Sequence, residues 1–135
     1  MASTTVAIEQ HKKNIDLLVA TPIVVSSGIT VLQGALVSID GSGEGIDGIN
    51  TSRIAGIAQE TVVGDGVEEV VTHWNYEHRF IKSDAAKTDL GLTMYAADNQ
   101  TATSVAKTAI LGQCTDWESG YVWVKLTKST TNAAE

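Results

Sequence analysis

Gly34-Ala35-Leu36-Val37-Ser38-Ile39-Asp40, then a Gly-rich turn, then Ile54-Ala55-Gly56-Ile57-Ala58 is the stretch on which the fold turns, because the chain repeats it. Gly91-Leu92-Thr93-Met94-Tyr95-Ala96-Ala97-Asp98 is followed by the polar Asn99-Gln100-Thr101 and then by Ile110-Leu111-Gly112-Gln113-Cys114. Gly34 and Gly56 are about 22 residues apart, and Gly91 and Gly112 about 21. Each half ends in a β-rich run, Val67 to His73 in the first and Tyr121 to Thr127 in the second. Short strands repeated at this period predict an all-β fold, a small β-barrel or sandwich, rather than an enzyme built around one loop.

Working outward, Ala35, Val37 and Ile39 alternate against Leu36 and Ser38, and Val122, Val124 and Leu126 against Tyr121, Trp123 and Lys125. Both are strand signatures. Ile54 to Ala58 is continuously apolar and predicts a strand buried on both faces. Tyr76, His78 and Phe80 alternate against Glu77, Arg79 and Ile81, in a hairpin that turns at Asn75. Asp40 to Gly45 reads as a flexible turn. Ile15 to Val25 reads as extended, with Pro22 at an edge or bend. The one expected helical turn is Asp84 to Leu90, N-capped by Asp84. Residues 1–20 form a polar extended arm, 21–128 a β-rich domain and 129–135 a polar tail.

At 135 residues and 43% hydrophobic content the chain can bury a core, which must lean on Val, Ile, Leu and Ala. A net charge of −7 opposes binding to nucleic acid and to anionic membrane surfaces. It suits a protein displayed at high local density, and serves equally as a simple solubility feature. No secretory signal is visible, and Ile15 to Val25 is too short and interrupted to cross a bilayer. Cys114 is the single cysteine, which rules out an internal disulfide, and it reads as a small buried hydrophobe.

No catalytic, metal or cofactor site is expected. His73 and His78 straddle a turn without zinc spacing, and His11 lies apart in the arm. Asp40, Glu44 and Asp47 lack the spacing of a calcium loop. Gly41 to Gly48 has neither the Lys-Ser/Thr nor the helix of a phosphate loop, and Cys114 with Asp116 has no nucleophile elbow. Six of the seven aromatic residues fall into two groups: Trp74, Tyr76 and Phe80, and Trp117, Tyr121 and Trp123. They read either as core at two ends of a barrel or as an interface with sister subunits or another partner.

Leu32-Gln33-Gly34-Ala35-Leu36-Val37, Ile54-Ala55-Gly56-Ile57-Ala58, Gly91 to Asp98, Leu111-Gly112-Gln113 and Val122-Trp123-Val124-Lys125-Leu126 together resemble the capsid decoration, or cement, proteins of tailed bacteriophages. The stretch from Ala55 through Val70 to His78-Arg79-Phe80 is similar to lambda-type head decoration proteins. The resemblance covers about Ile23 to Leu126. It implies a β-rich, β-tulip-like fold and a homotrimer on the outer capsid surface at three-fold and quasi-three-fold positions. The implied partner is the major capsid protein, the implied role is to stabilise the head against DNA pressure, and the implied location is the virion, after synthesis in the bacterial cytoplasm. In such families an N-terminal arm often adds a strand to capsid protein. Here it maps to about Ala2 to Ala20, with Thr4, Val6 and Ile8 or Ile15, Leu17 and Val19 as the pairing residues. The alternative is a β-rich adhesion or carbohydrate-binding module on a phage fibre or cell surface, using exposed Trp and Tyr.

Overall fold

The computed structural model describes residues 7, 10–13, 15–47 and 53–126. Among them the chain is all-β. Its strands are β1 (Lys12–Lys13), β2 (Val19–Val24), β3 (Thr30–Val31), β4 (Leu36–Ile39), β5 (Gly45–Asp47), β6 (Ile54–Ala58) and β7 (Val62–Val63), then β8 (Glu69–Trp74), β9 (Tyr76–Ile81), β10 (Thr93–Ala96), β11 (Ala102–Thr103), β12 (Ile110–Glu118) and β13 (Tyr121–Leu126). They form a sheet β2-β8-β6-β4-β5, a sheet β1-β9-β13-β12-β10-β11 and a small ribbon β3-β7.

The two sheets are one design used twice. In the first, Val37 pairs with Gly56 and Ser38 with Ile54, so one residue of β6 is bulged out. In the second, Met94 pairs with Gly112 and Tyr95 with Ile110, with the same bulge. The flanking bonds also coincide. Gly34 N–H donates to the Ala58 carbonyl at 2.8 Å and Ala58 N–H to Ala35 at 3.0 Å, as Gly91 N–H does to Cys114 and Cys114 N–H to Leu92, both at 2.9 Å. Ala58 then faces Thr72 as Cys114 faces Val124. Ile39 faces Gly45 as Ala96 faces Ala102. Thr21 faces Thr72 as His78 faces Val124. Each sheet curls back on itself through a parallel bridge, Val25–Gly45 beyond the ends of β2 and β5 in the first and Ile81–Thr101 between β9 and the start of β11 in the second. Both halves are therefore small closed barrels, which leaves few free edges.

A bulge reverses which residues face inward beyond it. On β6 this puts Ala55 and Ala58 inside the first barrel, with Val25, Val31, Val37, Val62 and Val70. Ile54 and Ile57 turn outward with Leu36, into the second core built on Phe80, Met94, Leu111, Cys114, Val122, Val124 and Leu126. The expected alternation in Ala35 to Ile39 holds, and both of its faces are buried. Gly56 sits at φ 138°, and a Cβ there would lie 2.5 Å from the His73 carbonyl oxygen. The position admits no side chain.

Some expectations are corrected. Ile15–Leu17 is a 3₁₀ turn rather than extended chain, closed by Leu18 N–H on the Ile15 carbonyl and held by the Asn75 side-chain amide on the Leu17 carbonyl. The helical turn within Asp84 to Leu90 is a 3₁₀ turn at Lys87–Asp89 with Ala86, not Asp84, at its N-cap: the Asp89 carboxylate accepts from Ala86 N–H at 3.0 Å. Asp84 is drawn instead to Lys82. β8 and β9 are not a hairpin, because Asn75, at φ 65°, passes the chain from one barrel to the other. Pro22 lies in the edge strand β2, where its missing N–H costs no ladder bond.

Candidate interaction surface

The arm is the first element that reaches across both halves. β1 adds to the outer edge of β9, with Lys12 opposite His78 and Lys13 opposite Glu77, and Arg79 N–H donates to the His11 carbonyl at 3.3 Å. Lys12 Nζ donates to Gln59 Oε1 of the first barrel and lies 2.9 Å from His73 Nδ1, while Lys13 Nζ pairs with Asp116 of the second barrel at 2.9 Å. The arm thus straps the two barrels together. The equivalent edge of the first barrel is β2, where Pro22 occupies the place of Arg79 and has no N–H to offer an incoming strand.

Lys12 can bond His73 Nδ1 only while that nitrogen is unprotonated. Burial, helped by the Lys12 charge, pushes the His73 pKa down. Its neighbour His78, which the sequence reads as a surface strand or turn histidine like His73, is instead almost fully enclosed. Burial, then the electrostatic effect of Lys12, His11 and Arg79 nearby, pushes its pKa down to about 3. Tyr76, His78 and Phe80 stack edge to face along β9 at centroid separations of 5.9 and 4.9 Å, and the Tyr76 hydroxyl lies 3.2 Å from His78 Nδ1. A cleft of about 180 Å³ opens beside them, lined by His11, Gly34, His78, Arg79, Gln100 and Tyr121.

The aromatic candidates divide. Tyr76 and Phe80 are fully buried core residues, because the inward face of β9 carries them, and they leave the interface set. Trp74 is half-buried and donates Nε1–H to Thr21 Oγ1 at 3.1 Å. Trp123 is buried under the Lys13 ammonium, 4.1 Å from its ring centroid, and Arg79 covers Tyr121 at 4.0 Å. Trp117 alone of the six is well exposed, at 38%. Of the arm candidates, Ile15 and Leu17 are exposed in the 3₁₀ turn and Val19 pairs with Trp74 in the chain's own sheet. Thr4, Val6 and Ile8, like the tail 129–135, lie outside the described residues.

Comparison with known proteins returns no match to a protein-family model, a curated protein or a solved structure.

The surface residues that composition did not flag are Thr93, Tyr95, Thr103, Ile110 and Gln113. Register places them together on the outer face of β12-β10-β11. That face is exposed to half-buried and carries no charge, in a chain of net charge −7. Depletion of charge is a mark of interface cores. The bulge at Gly112 is what aligns Ile110 with Gln113, and the second glycine of the repeat was its only signal. Elsewhere, Cys114 is buried, its thiol donates to the Asp116 carbonyl at 3.2 Å, and burial pushes its pKa up. A thiol held protonated is a poor nucleophile.

Proposed function

We propose that this chain is a structural decoration protein of a tailed-phage capsid. It binds the outer head surface as a homotrimer at three-fold and quasi-three-fold sites and stabilises the head against internal DNA pressure. Its partner is the major capsid protein, and it resides on the virion after synthesis in the host cytoplasm. The observation that carries this reading is the arm that completes a sheet edge while gripping both barrels. An N-terminal segment that already docks by strand addition is suited to do the same on a partner's sheet. Two closed barrels with few open edges make a stiff body that resists unwanted pairing at high surface density. Binding the assembled lattice better than free subunits then stabilises the lattice by mass action.

The adhesion reading draws less support. Stacking on sugars needs several open aromatic faces, and with Trp123 and Tyr121 covered by Lys13 and Arg79 only Trp117 of the six is well exposed. The test is co-sedimentation of the purified chain with expanded phage heads that lack decoration. Saturable uptake in multiples of three per three-fold site is expected. Absence of uptake, together with specific glycan-array binding, would replace this reading by the alternative. A version lacking residues 2–10 keeps all of β1 and reports whether the segment before it contributes to uptake.

A further inference from the structure

The contact between the two barrels is head-to-tail. The second barrel's turn Ala97–Thr101 plugs onto the outer face of the first: Leu36 N–H donates to the Asn99 carbonyl at 3.0 Å, and the Asn99 side-chain amide to Asp47 at 2.9 Å. Asn99 is almost completely buried there. A two-fold contact would place the first barrel's matching turn on the second barrel's matching face. That turn is Asp40–Glu44, built on the same backbone bond (Asp40 N–H to Glu44 at 2.8 Å, as Ala97 N–H to Thr101 at 2.8 Å), and Gly41, Ser42 and Gly43 at its tip are exposed. The matching face is that of Thr93, Tyr95, Thr103, Ile110 and Gln113, exposed at Thr93 and Gln113 and half-buried at the other three. Among the described residues, the first barrel therefore presents an exposed plug and the second a partly exposed socket.

We propose that copies of this chain associate by repeating their internal barrel–barrel contact, the Asp40–Glu44 turn of one copy seating on the β12-β10-β11 face of the next. Barrel equivalence sets the register: Ser42 takes the place of Asn99, Thr93 that of Leu36 and Ser104 that of Asp47. By that equivalence the Ser42 carbonyl accepts from Thr93 N–H, as the Asn99 carbonyl accepts from Leu36 N–H, and the two serine hydroxyls meet. The chemistry is compatible. The turn tip is small, the Asp40 carboxylate is engaged by Ser42 and Glu44 N–H at 2.8 and 3.0 Å, and the socket is uncharged. The socket is also more polar than its counterpart, with Thr93 and Gln113 where the first barrel has Leu36 and Ile57. Such a face survives in water between encounters, which a permanently buried one need not. Contacts of this heterologous kind close into rings or run on as filaments. The closed form, resting for its copy number on the trimer proposed above, is three chains presenting six barrels around one axis.

The test is oxidative cross-linking of the full chain carrying Ser42→Cys and Thr93→Cys, positions within disulfide reach only if they meet across copies. Dimers and closed trimers that disappear under reductant are expected, with none from a Ser42→Cys, Val67→Cys control. In parallel, Thr93→Glu with Gln113→Glu, facing Asp40 and Glu44 of the next copy, should convert trimer to monomer in analytical ultracentrifugation at an unchanged melting temperature. A monomeric wild type, or a trimer indifferent to both substitutions and uncross-linked by the cysteine pair, overturns the head-to-tail contact. If capsid uptake persists in that case, decoration stands and only this interface falls.

Discussion

Gly56 and Gly112 hold the same place in two copies of one barrel: they bulge β6 and β12, at φ 138° and 146°, opposite Val37 and Met94 respectively. The bulge turns Ile54 and Ile57 of the first barrel outward to help build the core of the second. A single backbone device thus sets both the barrel closure and the barrel–barrel contact.

Replacing Gly56 by Ala should be severe. The new methyl would strain a backbone that L-residues avoid and press on the His73 carbonyl. A loss of about 3 kcal/mol is expected from urea unfolding. Gly120 is the control: its φ is 83° and nothing lies within 4 Å, so Gly120→Ala should cost only about 1 kcal/mol. Equal losses at the two sites would show that φ alone, and not the close approach, matters at Gly56.

How much was legible follows from these residues. The glycine spacing carried the repeat, and strand alternation carried the all-β class. What spacing cannot carry is the face that a strand presents after a bulge, so the outward Leu36, Ile54 and Ile57 and the uncharged Thr93–Gln113 face emerge only with register. His78 shows the same limit. Its alternation with Tyr76 and Phe80 was read correctly, but alternation does not say which face is inside, and Glu77 and Arg79 opposite made the exposed choice look reasonable. Ile15 and Leu17 read as strand because they are apolar; a capping amide from distant Asn75 holds them in a turn.

Stability should fall on acidification below neutrality. His78 has its folded pKa pushed down to about 3 by burial and by neighbouring cations, while in the unfolded chain it titrates at about 6.5. Between those values the unfolded state binds the extra proton, so this contribution is complete above about pH 6.5 and is lost progressively as pH falls toward 3. At pH 5 the loss is about 2 kcal/mol relative to pH 7. His73, whose pKa is also lowered, adds in the same direction. Urea midpoints at pH 7 and pH 5 measure the slope. His78→Gln should leave only the smaller part due to His73, and an undiminished slope would place the titrating group elsewhere.

Lys82 is a buried ammonium at a position where the first barrel has the core residue Val25. Burial alone would lower its pKa, but hydrogen bonds and charge from Asp84 and Asp89 outweigh it and raise the pKa. Nζ lies 2.9 Å from Asp84 and 3.2 Å from Asp89, and Asp89 is itself buried. Lys82→Ala strands the Asp89 carboxylate and should cost about 3 kcal/mol. Asp84→Ala removes only the exposed partner and should cost under about 1 kcal/mol. Thermal melts of the two variants check the ordering; reversal would mean that Asp84, not Asp89, is the essential counter-charge.

The two tryptophans of the last hairpin should separate folding from association. Trp123 is buried beneath Lys13, so Trp123→Ala removes core contacts and the seat of the arm, at a cost of about 3 kcal/mol. Trp117 is exposed on the same hairpin, and Trp117→Ala should leave unfolding within about 0.5 kcal/mol of wild type. An exposed tryptophan is the commonest kind of binding anchor. If Trp117 touches the capsid or a sister copy, its loss should weaken head uptake about tenfold or more while the melt stays unchanged. Head uptake and trimer content that both match wild type would remove Trp117 from the contact surface and leave the uncharged Thr93–Gln113 face as the stronger candidate.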